Sequence, residues 1–333
     1  MNRLTAWSCA LLLLCGVLPA AAQPLRFSDD GTFRIVQFTD THLCAGEWLP
    51  ESEKTFARIS RVIATERPDL VVFTGDVVTG RPAEGLWRRL LDTLQRCGAP
   101  FCIVLGNHDA EQDLSRQEIA RLVTSAAGSL NGLNAGGELA DAELPVLGHS
   151  DDTPAAALYC LDSHDYSTVE GIGGYGWFTR EQIEWLRGSC EARTAARGGA
   201  PLPALAFFHI VLPEAGMEWH MGSGSRVGRR AENECPGALN PGMFAAMAET
   251  GSILGVFVGH DHDNDYIVSH HGIALGYGRF SGGNTTYNNL RPGARVIVLH
   301  EGERGFETWI REDDGRRVDY AWYAGGRFSG KRE

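Results

Sequence analysis

Short, almost wholly apolar runs recur along the chain, and several of them end in a small polar cluster. The runs Phe33 to Phe38, Leu70 to Phe73, Phe101 to Leu105 and Ala156 to Leu161 predict buried β-strands. Ala204 to Phe208, Ile253 to Val258, Ile273 to Leu275 and Ala294 to Leu299 add more of the same kind. Between the early runs the period changes to that of a helix with one apolar face. Thr55 to Glu66 carries Phe56, Ile59 and Ile63 and stops at Pro68. Glu84 to Cys97 carries Leu86, Leu90, Leu91 and Leu94, and Ser115 to Ser125 carries Ile119 and Leu122. Thr179, with Gln182 three residues on, caps a fourth helix whose Ile183 and Leu186 point inward.

Strand and helix alternate in the first half, and strands dominate after Ile253. That order predicts an α/β fold, a four-layer α/β/β/α sandwich of two mixed sheets flanked by helices. Its working loops would lie at the carboxyl ends of the strands. Ala126 to Gly137 and Ala195 to Pro203 read as surface loops. The polar tail after Arg311, with Gly325 and Gly326, reads as a segment free to fray. No repeat or linker divides residues 23–333, which read as one domain.

Composition adds constraints. The chain has 333 residues, 43% apolar and 22% charged, an ordinary globular mixture. A net charge of −12 repels nucleic acid and anionic lipid, so neither is the expected partner. An anionic substrate would need locally fixed positive charge, which bound metal ions can provide. The N-terminus predicts export, with Arg3 as the positive flank, Ala10 to Leu18 as the apolar stretch and Ala20-Ala21-Ala22 as the cleavage site before Gln23. Residues 1–22 are then a signal peptide, and the mature protein is periplasmic or secreted without a transmembrane anchor. A lipid anchor at Cys15 is the alternative. Six cysteines survive cleavage, and in an oxidising compartment Cys44 and Cys235, both in loops near the polar clusters, are expected to pair. Cys102 and Cys160 lie in strand runs, where buried free thiols are as well expected as a disulfide.

The polar clusters carry the chemistry. They are Asp40-Thr41-His42, Gly75-Asp76, Gly106-Asn107-His108-Asp109, His209 and Gly259-His260-Asp261-His262. Each alone could be a turn, a helix cap or a hydrogen-bonded core histidine. Together, each behind a strand, their oxygen and imidazole donors suit a pair of divalent transition metals. Glycines 75, 106 and 259 would let the backbone turn sharply as each strand ends.

This ordered set resembles the calcineurin-like metallophosphoesterase superfamily. Further stretches are similar to its purple-acid-phosphatase-like branch related to the plant and fungal Dcr2 type. They are Val72-Phe73-Thr74-Gly75-Asp76, Phe207-Phe208-His209-Ile210 running into Leu212-Pro213-Glu214, Leu161-Asp162-Ser163 with Asp165-Tyr166, and Tyr277-Gly278-Arg279. The resemblance implies that Asp40, His42 and His262 hold one ion, that Asn107, His209 and His260 hold a second, and that Asp76 bridges them. A carboxylate shared by two ions fixes their separation near the roughly 3.5–4 Å used in two-metal hydrolysis, and the ions turn water into a nucleophile near neutral pH.

His108 is the expected proton donor to the leaving group, with Asp109 orienting its ring. Arg279 is the expected contact to a phosphoryl oxygen, beside Asn107 and His108. Purple members carry a tyrosine ligand three positions after the bridging aspartate. Here that position is Thr79, so an uncoloured site is expected, filled by Mn, Fe, Zn or Co. The expected reaction is hydrolysis of phosphate monoesters. A phosphodiesterase or nucleotide hydrolase could use the same ligands, and a catalytically silent binding module is the non-enzymatic alternative. Tyr175 and Trp177 either line the cleft or pack a Gly-rich loop. Asn284-Thr285-Thr286 matches a glycosylation acceptor but is better read as a polar loop, and His270 and His271 read as a hairpin turn.

Overall fold

The computed structural model describes residues 24–222, 224–283, 290–330 and 332. The signal segment 1–22 and the Asn284-Thr285-Thr286 acceptor lie outside the described residues. The first half runs β1 (Thr32–Phe38), α1 (Leu49–Glu66), β2 (Leu70–Thr74), α2 (Ala83–Cys97), β3 (Phe101–Val104), α3 (Arg116–Ser125), β4 (Ala142–Leu147), β5 (Pro154–Cys160) and α4 (Arg180–Ala196). It continues through β6 (Ala204–Phe207), α5 (Pro213–Met221), β7 (Arg226–Val227), α6 (Met243–Thr250) and β8 (Ile253–Val258). The chain ends in strands β9 (Ile267–His270), β10 (Ile273–Tyr277), β11 (Gly293–His300), β12 (Gly305–Glu312), β13 (Arg317–Ala324) and β14 (Arg327–Ser329).

These strands form two seven-stranded sheets, ordered β14-β13-β12-β11-β1-β2-β3 and β4-β5-β6-β8-β10-β9-β7. Pairing is parallel along β1-β2-β3 and along β5-β6-β8-β10, and antiparallel toward the far edges. Alternate side chains then decide the layers. In β1, Val36 and Phe38 join Ile59, Trp87 and Ile119 of α1, α2 and α3, while Phe33 and Ile35 face the second sheet. In β6, Ala204 and Ala206 meet Leu186 of α4 and Met247 of α6, while Leu205 and Phe207 face the first sheet. Three apolar layers between four tiers make the expected α/β/β/α sandwich. Ser115 and Thr179 cap α3 and α4 with full capping boxes to Glu118 and Gln182, so both helices start where the sequence predicts.

Three expectations need correction. The tail after Arg311 does not fray: Tyr320, Trp322 and Phe328 lie on β13 and β14, which complete one edge of the first sheet. Helix α1 starts six residues before Thr55, because Pro50 occupies its first turn, where a missing N–H costs nothing. All six described cysteines are free thiols; Cys44 Sγ sits 3.4 Å from Thr79 Oγ1 and Cys235 Sγ faces the Asn233 carbonyl, so the two are not paired. The hairpin turn expected at His270 and His271 is present: His270 ends β9, pairs with Ile273 of β10 and bonds Glu218 across 2.7 Å, and His271 turns with Gly272. No helix among the described residues is long and apolar enough to cross a membrane.

Candidate metal centre

Parallel strands deliver their loops to the same end of each sheet, and the polar clusters therefore meet. Asp40 and His42 follow β1, Asp76 follows β2, Asn107 follows β3, His209 follows β6, and His260 and His262 follow β8. The loops after β1 and β2 are laced together by Asp40 N–H to the Gly75 carbonyl and His42 N–H to the Asp76 carbonyl, both at 3.0 Å. Asp40, His42, Asp76 and His260 all hold left-handed backbone, with φ of 50, 42, 51 and 79°. That conformation is costly for non-glycine residues and concentrates at functional sites.

The glycines serve differently from expectation. Only Gly75 has positive φ, at 89°. At Gly106 and Gly259 the need is space, since a Cβ there would collide with the Asp76 carboxylate or with Thr39 Oγ1.

The seven donors fall into two groups sharing Asp76, all buried except the half-buried His260. Asp40, His42, Asp76 and His262 each present a ligand atom within 4.8 Å of the others, and so do Asp76, His209 and His260. In the first group His262 Nε2 is 3.4 Å from Asp40 Oδ1, and His42 Nε2 is 3.8 Å from Asp76 Oδ2. In the second, His209 Nε2 is 3.3 Å from Asp76 Oδ2, 3.2 Å from Asn107 Oδ1 and 3.3 Å from His260 Nδ1. Two donors each about 2.1 Å from one tetrahedral ion stand roughly 3.4 Å apart, so the spacing suits cations. His209 Nδ1–H donates to the Thr74 carbonyl at 2.7 Å, which leaves Nε2 as the ligating nitrogen. His260 Nε2 is buried without a hydrogen-bond partner.

The electrostatics describe the same need for positive charge. Burial works against ionising Asp76, yet the His209 charge and hydrogen bond, with His42, hold its carboxyl far below the usual range. Burial likewise opposes a charged His209, but Asp76 and then Asp40 lift it to about 10. Burial pushes His42 down to about 4 and, with the neighbouring His209, His260 down to about 3. One proton on His209 thus stands where cations would neutralise two buried carboxylates, and the donor set fits divalent metal ions.

Around these donors the structure keeps His108 in place and redistributes two expected roles. His108 sits over the centre, its ring 5.9 Å from that of His42, with 38% of its side chain exposed. Its Nδ1 meets Glu111 Oε2 at 2.6 Å, not Asp109. Asp109 is fully buried and accepts the backbone N–H groups of Val77, Val78 and Gly106, at 2.8, 3.0 and 2.7 Å. It buckles the β2 loop to the β3 loop, so its role is to hold Asp76 and Asn107 in register.

Arg279 does not reach the cleft either. Its guanidinium is buried, held by Asp265, by Glu312 at 3.2 Å and by the Arg291 carbonyl at 2.6 Å. Arg279→Ala is therefore expected to lower stability by about 3–5 kcal/mol, because it removes the guanidinium paired with the fully buried Asp265 carboxylate, while Glu312 keeps Arg316 at 2.6 Å. KM of the folded fraction should stay unchanged; a raised KM with an unaltered denaturant midpoint would return Arg279 to the substrate.

Two tyrosines also reach the site, Tyr175 and Tyr166, the second without an expected role. Tyr166, in the loop after β5, places its hydroxyl 3.2 Å from Asn107 Nδ2 and 2.7 Å from Glu111 Oε1. Tyr175 stacks on Tyr166 at 5.7 Å and meets the His260 ring edge-on at 4.3 Å, so it does line the site. Trp177 lines a neighbouring depression with Ser163 and Leu212 instead.

Known proteins resemble this chain in both sequence and fold. A plant protein named probable inactive purple acid phosphatase 29, from Arabidopsis thaliana, is 32% identical over 91% of this chain and 89% of its own length. The phosphatase DCR2 of Saccharomyces cerevisiae is 29% identical over 87% of this chain, which spans 55% of that longer protein. A dimetal phosphatase from Danio rerio shares the fold with a TM-score of 0.62 and 16% identity, over 89% of this chain and 99% of its own. GAP50, the anchor in the inner membrane complex of Plasmodium, shares it with a TM-score of 0.54 and 13% identity, over 87% of each chain. A family model described as calcineurin-like phosphoesterase matches residues 33–264, a stretch that takes in every donor of both groups, and the chain belongs to that family.

Proposed function

We propose that this protein is an exported phosphatase that hydrolyses phosphate monoesters with two divalent metal ions. The observation that carries the reading is the pair of donor groups sharing Asp76, with His108 partly exposed above them. Asp40, His42 and His262 would hold one ion, and Asn107, His209 and His260 the other. When bound, such ions supply Lewis acidity toward a phosphoryl group and acidify water. The chain's own residues do the rest. Asp109 fixes the loops that carry Asp76 and Asn107, Thr74 fixes the His209 ring, and His108 gives a proton to the departing alkoxide. Export is supported by the signal-like segment 1–22.

A silent binding module is the second reading, favoured by the word "inactive" in the plant relative's name and by the anchor that shares the fold. The intact donor set and His108 weigh against it.

The test is to purify the mature protein, count its metals by elemental analysis, and follow activity through chelation and reloading. About two ions per chain, loss of activity on chelation and recovery on adding Mn²⁺ or Zn²⁺ are expected. Aryl phosphate should be cleaved faster than bis-aryl phosphate. Faster cleavage of the diester would make the protein a phosphodiesterase, and two retained ions with no turnover on either would make it a binding module.

A further inference from the structure

Glu111 and Tyr166 take part in neither donor group, yet together they touch two residues on which the proposed reaction depends. Glu111 lies in the loop after β3, three positions beyond His108, and Tyr166 approaches from the loop after β5. Glu111 Oε2 accepts from His108 Nδ1 at 2.6 Å, and Glu111 Oε1 accepts from the Tyr166 hydroxyl at 2.7 Å. The same hydroxyl oxygen accepts from Asn107 Nδ2 at 3.2 Å, while Asn107 Oδ1 points the other way, 3.2 Å from His209 Nε2.

The directions of these bonds matter more than their lengths. An amide is nearly symmetric in shape, and either end could turn toward the metal centre. Tyr166 has one proton, and Glu111 takes it. The hydroxyl can then only accept from Asn107, which selects the NH₂ end and leaves the carbonyl oxygen for a cation. Glu111 does the equivalent for His108: with Nδ1–H engaged, Nε2 is the nitrogen left for the substrate. The ring of Tyr166 is itself stacked on Tyr175, which abuts His260, so the hydroxyl is held by aromatic packing independent of Asn107.

We propose that Glu111 and Tyr166 form one positioning bridge, which aims the His108 imidazole at the leaving group and the Asn107 carbonyl at the second ion. The proposal deepens the phosphatase reading and rests on it for the His108 half. Its Asn107 half can be read without any turnover.

Three variants of the full chain test it: Tyr166→Phe, Glu111→Ala and Glu111→Gln. Tyr166→Phe keeps the stacked ring and removes only the hydroxyl. In a calorimetric titration with Mn²⁺ it should weaken the second ion by about 10–100-fold and leave the first unchanged. Measured at equal metal content, with both sites saturated with Mn²⁺, Glu111→Ala should lower kcat on an alkyl phosphate by about 10–100-fold with KM nearly constant, and lower kcat on 4-nitrophenyl phosphate far less. Glu111→Gln, which still presents one carbonyl oxygen, should recover part of that loss.

A wild-type Mn²⁺ titration in Tyr166→Phe overturns the Asn107 half. Equal losses on both esters in Glu111→Ala, or none on either, overturn the His108 half. Should Glu111→Ala not fold, Glu111→Gln decides by the same ratio of the two esters. If the wild-type protein turns over no phosphate ester, the phosphatase reading fails, while the titration still decides whether Tyr166 supports the second ion.

Discussion

Asp76→Asn is expected to release both ions together and to cut turnover by about 10³-fold or more, the equivalent of losing several kcal/mol of Lewis-acid stabilisation. The substitution is nearly isosteric, and asparagine tolerates left-handed backbone, so the φ of 51° at this position should survive. What disappears is the one negative charge common to both groups. Asp76 Oδ2 lies 3.3 Å from His209 Nε2 and 3.8 Å from His42 Nε2, one nitrogen from each group. Its other oxygen accepts the His108 N–H at 2.9 Å, so the carboxylate also steadies the β3 loop.

His42→Ala makes the contrast, because His42 belongs to the first group alone and should cost mainly one ion. Elemental analysis of the two purified variants separates the cases. Two ions per chain retained in Asp76→Asn would mean that the two groups do not share this residue.

Much of this arrangement is legible in the sequence, for physical reasons that also mark where legibility stops. The central strands are buried on both faces, so they appear as unbroken apolar runs, and the polar residue ending each run stands out by contrast. All seven donors announce themselves in that way. The tail strands do not, because β13 alternates Asp319, Ala321 and Tyr323 with Val318, Tyr320 and Trp322 between glycine-bearing turns. α5 and α6 are only nine and eight residues long, too short for a helical period to emerge.

Arg279 shows a different limit. A buried structural guanidinium and a phosphate clamp look identical in one dimension, and only Asp265 and Glu312, 14 and 33 positions away, reveal which it is. The Asp109 expectation failed similarly: the neighbour in sequence turned inward to three backbone N–H groups, and Glu111, three positions beyond His108, took the ring. Tyr166 carried only one signal, its place in a stretch similar to the purple-acid-phosphatase-like branch, and nothing in that stretch names Asn107 as its partner.

His108→Ala should lower kcat by about 10²–10⁴-fold on alkyl phosphates while both ions remain bound. His108 is absent from both donor groups, and its Nδ1 is already engaged by Glu111. Its ring stands 5.9 Å from His42 and stays 38% exposed, above the donors and open to the cleft. A side chain so placed can give a proton to an oxygen leaving from phosphorus.

That proton matters in proportion to the basicity of the leaving group. An alkoxide cannot depart without it, whereas 4-nitrophenolate departs almost unaided, so the same substitution should be far milder on the aryl ester. Metal loss would slow both esters alike, and a general loosening of the fold would too. The ratio of the two rates, measured at equal metal content, therefore isolates proton donation. Equal slowing of both esters would take the proton away from His108 and assign it to solvent.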